Sequence, residues 1–124
     1  MQTTYLMAGV LAILTGIAHS VLGEILIFRH LRENGVVPSQ PAPPLRERHV
    51  RIIWASWHLV SVFGWAFAGM LLAIASGADD LRTIAVNAIV ASHLGGSALV
   101  LVGTRGRHPG WIALLAVAAL VRFA

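Results

Sequence analysis

Residues 5–28 read YLMAGVLAILTGIAHSVLGEILIF, an apolar run whose only formally charged residue is Glu24. As a helix rising 1.5 Å per residue it covers about 36 Å, more than the roughly 30 Å hydrocarbon core of a bilayer. Similar runs follow at 52–75 and 81–102, and a shorter one at 109–124. The last reaches only about 24 Å, so it must thin the bilayer or let Arg122 snorkel to the far headgroups. The expectation is an all-α, polytopic membrane protein: a four-transmembrane-helix bundle, with residues 1–124 forming a single membrane domain.

Composition points the same way. The chain is 57% hydrophobic and 11% charged, with a mean hydropathy of +0.78, whereas soluble domains carry about a quarter charged residues. There is no cysteine, which excludes disulfides, thiolate metal sites and a Cys nucleophile. All nine basic residues are arginine and sit beside apolar runs rather than on a polar face. The lipid bilayer, not nucleic acid, is therefore the expected partner. Arginine-only usage with abundant Ala, Gly and Val fits a GC-rich bacterial source and a place in the inner membrane. Residues 5–28 lack a basic leader and exceed a signal-peptide core of about 7–15 residues, so they read as a retained first helix.

The arginines set the expected topology. Loop 29–51 carries Arg29, Arg32, Arg46, Arg48 and Arg51, and the turn before the last span carries Arg105 and Arg107. Between them, Gly77–Asp80 is acidic. The positive-inside bias puts loop 29–51 and the 103–108 turn in the cytoplasm and both termini outside. Within the loop, Pro38–Pro44 favours an extended polyproline II linker. Asp79 and Asp80 suit the N-terminus of span three, Pro109 suits the first position of span four, and Trp54, Trp57 and Trp111 suit an aromatic belt. Small residues mark expected helix contacts: Ala8, Ala12, Gly16 and Ser20; Ser61, Gly64, Ala68 and Gly69; Ala91, Gly95, Gly96 and Ser97.

His19, Glu24, His58 and His93 stand inside these runs, and intramembrane ionisable groups are costly unless partnered. Counting from the nearest loop arginines, Glu24 and His58 lie about 8 and 10 Å deep, His19 and His93 about 15 and 18 Å deep. His19 and Glu24 are five apart, about 140° around the helix, so they do not share a face. Glu24 needs a neighbour such as His58, or Arg51, or water.

Three readings follow. His19 and His93, matched in depth on separate spans, could ligate haem b axially. In a variant, His19, Glu24, His58 and His93 hold a transition-metal ion (Fe, Zn or Cu) for electron transfer or membrane redox chemistry. In the second reading the four residues form a proton relay in a proton- or ion-coupled transport subunit. In the third the histidines are interhelical hydrogen-bonding glue in an accessory or assembly subunit of a larger membrane complex. The small size favours a homo-oligomer or such a complex. His30, His49 and His108 read as solvated loop residues. No phosphate-binding glycine loop, His-Glu-x-x-His or nucleophile elbow is present, so no enzymatic reaction is assigned.

Overall fold

The computed structural model describes residues 1–124 as four α-helices: α1 (Gln2–Leu26), α2 (Glu47–Ala75), α3 (Leu81–Thr104) and α4 (Gly110–Phe123). A short 3-10 turn, Phe28–Leu31, follows α1. The helices α1, α2 and α3 are long and apolar enough to cross a membrane. With 14 residues, α4 is not; it covers about 21 Å. Each helix packs on the next in sequence, α1 on α2, α2 on α3 and α3 on α4. Only 18 of the 124 residues are buried, and large apolar side chains such as Leu11, Leu14, Val60 and Phe67 stand outward. Such a surface suits hydrocarbon rather than water.

Glycines set the helix contacts. The buried residues of α1 are Gly9, Gly16 and Gly23, a seven-residue spacing typical of a left-handed seam. A Cβ on Gly9 would lie 2.8 Å from Leu72, and one on Gly16 or Gly23 would overlap the indoles of Trp65 and Trp57. Each indole rests in a notch that only glycine leaves open, and its N–H finds a carbonyl there. Trp57 Nε1 donates to the His19 carbonyl at 3.0 Å and Trp65 Nε1 to that of Ile13 at 3.2 Å. A helical carbonyl retains a second lone pair for such a bond.

The α2–α3 seam repeats the spacing with Gly96 against Leu59 and Gly103 against Ala55 and Trp54. On α4, the Trp111 carbonyl accepts from Ser97 Oγ at 2.8 Å. The small-residue stripes in the sequence coincide with these contacts in part: Ser20 bonds to Ser61, Ala68 is buried, and Gly95 and Gly96 face Val62 and Leu59. Gly16 is the only residue of the Ala8-Ala12-Gly16-Ser20 stripe in the α1 glycine seam, and nothing lies within contact of a Cβ on Gly64 or Gly69.

Loop 27–46 is not a plain extended linker. The amides of Ser39 and Gln40 both donate to the Leu31 carbonyl at 2.9 Å, and Ala42 and Leu45 exchange two backbone hydrogen bonds. Pro38, Phe28 and Val50 are fully buried. The loop thus folds back over the bundle end, where Phe28, Trp54, Ala55 and Val100 form the core cluster. At the opposite end, Asp80 caps α3, accepting from the Thr83 amide at 2.9 Å and its hydroxyl at 2.6 Å.

Candidate functional site

Glu24 stands near the end of α1, one turn above the loop that folds back beneath it. Its carboxylate takes partners from three segments. Oε1 accepts from Trp54 Nε1 at 2.7 Å and lies 2.8 Å from His58 Nε2. Oε2 pairs with the Arg32 guanidinium from the loop. The expected Arg51 partner instead extends toward Glu47 and the Val102 carbonyl, at 3.7 and 3.5 Å. Trp54 and His58 are four residues apart on α2, so both face α1, with their rings at 5.0 Å. The His58 side chain is 14% exposed and those of Glu24 and Arg32 about a quarter.

From His58 the hydrogen bonds continue along the α1–α2 interface. His58 Nδ1 lies 2.9 Å from Ser20 Oγ, Ser20 Oγ 2.8 Å from Ser61 Oγ, and Ser61 Oγ 2.9 Å from the Gly16 carbonyl. Gly16 is two helical turns from Glu24, so the chain extends about 12 Å along α1.

Donor accounting fixes the protons along this chain. A carbonyl only accepts, so Ser61 spends its single hydroxyl proton on Gly16 and must accept from Ser20. Ser20, its own proton spent, must accept from His58, which therefore carries a proton on Nδ1. A neutral imidazole then presents a bare lone pair at Nε2, facing a carboxylate oxygen at 2.8 Å. Two acceptors do not hold that distance, so one further proton lies between them, either on Nε2 as imidazolium or on the carboxyl. Arg32 and Trp54 compensate the carboxylate when it is charged. The pair thus has a guanidinium on one side and a hydroxyl chain on the other.

The other two histidines lie apart from this pair. His19 stacks on Trp57, centroids 4.4 Å apart and planes within 8°, and its Nε2 donates to the Trp57 carbonyl at 3.2 Å. His93 meets the edge of Phe63 and donates from Nδ1 to the Ile89 carbonyl on its own helix at 2.8 Å. Each ring keeps one nitrogen free of these bonds. However, Trp57 and Phe63 are six residues apart, about 120° around α2, and Val60 and Phe67 lie exposed between them. His19 and His93 thus meet α2 through different residues, Trp57 and Phe63. No three His, Asp or Glu side chains converge as a metal cage.

Sequence reasoning paired Glu24 with His58 by depth but did not single out Arg32, Trp54 or Ser20 as partners. The signal for Trp54 was its i, i+4 relation to His58. Ser20 follows His19 immediately, so it was hidden behind a more conspicuous residue. Arg32 carries no signal, because only the folding of the loop brings it back to α1. No protein-family model, curated protein or solved structure matches this chain.

Proposed function

We propose that this chain handles protons in a membrane, as a component of a proton-coupled transport system with Glu24 and His58 as the proton-binding pair. The observation that carries the proposal is the continuous line of hydrogen-bonding contacts from Glu24 Oε1 through His58, Ser20 and Ser61 to the Gly16 carbonyl. Chains of glutamate and histidine inside membrane spans are an attested form of proton relay. Ser20 and Ser61 provide a hydroxyl path away from the loop, and Arg32 keeps the carboxylate near the polar end. The relay in this form runs through the two serines rather than through His19 and His93.

The test is proton flux into liposomes holding the purified protein, driven by a potassium diffusion potential and read with an internal pH dye. Wild-type flux should exceed that of protein-free liposomes, Glu24→Gln and His58→Phe should abolish the excess, and His19→Ala should keep it. Tryptophan fluorescence checks that each variant is folded. Wild-type flux equal to that of empty liposomes, or undiminished flux in folded Glu24→Gln, would overturn the proposal. An absorption spectrum of the same preparation addresses the haem alternative: a Soret band lost in His19→Ala and His93→Ala would replace it.

A further inference from the structure

A second polar feature lies at the arginine-rich end, away from the Glu24 pair. The first turn of α2 faces the end of α3 and the turn into α4 across a cleft of about 470 Å³. Four guanidinia (Arg48, Arg51, Arg105 and Arg107) and two imidazoles (His49 and His108) line it, with Glu47 as the lone carboxylate.

Glu47 does not satisfy this charge. Its Oε1 is 3.7 Å from Arg51 and 3.5 Å from Arg105, both beyond ordinary hydrogen-bond length. Arg51 is the less expected residue. It is only 7% exposed, its Nη2 reaches the Val102 carbonyl at a long 3.5 Å, and its buried Nε has no partner. A buried guanidinium donor without an acceptor is costly. Three further guanidinia around it add repulsion that an anion would relieve.

We propose that this cleft binds a phosphate group, with Arg51 at its floor and Arg105 and Arg107 at its mouth. Phosphate carries the charge and the several acceptor oxygens that converging guanidinia can bind bidentately. Arg51 follows the start of one membrane-crossing helix and Arg105 the end of the next, so the cleft lies at headgroup level, where lipid phosphates are abundant. The phosphate can therefore come from a lipid headgroup or from a soluble phosphate compound. This site is independent of the proton-handling proposal and shares no residue with it.

Thermal unfolding in a neutral detergent at physiological salt tests it, because a ligand that binds only the folded state raises Tm. Three probes are added separately: phosphatidic acid, phosphatidylcholine and inorganic phosphate, with equal sulfate as the ionic control for the last. Binding is expected as a Tm rise with phosphatidic acid or with inorganic phosphate. A rise with the lipid alone identifies a headgroup, and a rise with both identifies a bare phosphate site. Arg107→Gln and Arg105→Gln, both at the mouth, should weaken the response about tenfold or more in half-saturating concentration. Arg122→Gln, at the far end of α4, should not. Arg51→Gln adds a test of the floor if it folds; the mouth variants stand without it. Equal Tm in all additions, or responses unchanged in Arg105→Gln and Arg107→Gln, would overturn the proposal.

Discussion

A histidine's tautomer is usually left to assignment, but His58 is constrained from both sides. The Gly16 carbonyl, acting through Ser61 and Ser20, places a proton on Nδ1, and the Glu24 carboxylate at the other side calls for one between Oε1 and Nε2. In ¹⁵N-labelled protein the His58 Nδ1 resonance should be that of a protonated nitrogen across neutral pH. A pyridine-like Nδ1 shift would contradict the chain. Ser20→Ala removes the acceptor that holds this proton, so it should free the tautomer, and in the liposome assay it should slow flux without abolishing it. At this scale the sequence was informative for Glu24 and His58, because charge in an apolar run is visible without coordinates. It was uninformative for Arg32, whose approach depends on the amides of Ser39 and Gln40 turning the chain back to Leu31. For His19 the polar-in-apolar signal was real, yet stacking on Trp57 and one carbonyl bond account for what the structure shows of it.

Among the elements, the helices were legible and their seams less so. Hydropathy located all four helices, with α3 ending two residues later and α1 starting three residues earlier than expected. The small-residue stripes point to the contacts at Gly16, Ser20, Ser61, Ala68 and Gly96 but not to the open positions Gly64 and Gly69, and spacing alone does not show that the indoles of Trp65 and Trp57 need the bare backbone of Gly16 and Gly23. Gly23→Ala should therefore destabilise the protein by about 1–3 kcal/mol, the usual cost of overpacking. Gly64→Ala, with open space around it, should leave Tm unchanged or raise it slightly. Thermal unfolding of the two variants in one detergent distinguishes them; equal losses would mean that the notch is not specific. The α3 cap gives a pH prediction. Hydrogen bonds from the Thr83 side chain, and then from its backbone, hold the Asp80 carboxyl below the ordinary carboxylate range. The cap's contribution is therefore complete above the unfolded-state value of about 3.9 and fades as pH falls through the lower folded value. Protection of the Thr83 amide from exchange, relative to the intrinsic rate at each pH, should fall over that acid window in the wild type. In Asp80→Asn, which caps without titrating, the acid-dependent step should be absent.

For the whole molecule, the arginine distribution gives an expected orientation. Loop 27–46 and the turn at Arg105–Arg107 lie at the same end of the helices, and Gly77–Asp80 at the other. The positive-inside bias then predicts a C-terminal reporter active outside the cytoplasm; cytoplasmic activity would invert both the topology and the side from which Glu24 is reached. The seven-residue glycine seams explain why α1, α2 and α3 associate although lipid supplies no hydrophobic drive between helices. They also bear on how the chain enters the membrane. Glu24 belongs to α1, but its indole and imidazole partners belong to α2, and its guanidinium partner to the loop between them. If α1 left the insertion machinery alone, it would carry an unpaired carboxyl into lipid. If it waited for α2, it would enter with that group already bonded. Insertion of α1 and α2 as a paired hairpin, with the loop closing behind them, spares the membrane that unpaired carboxyl.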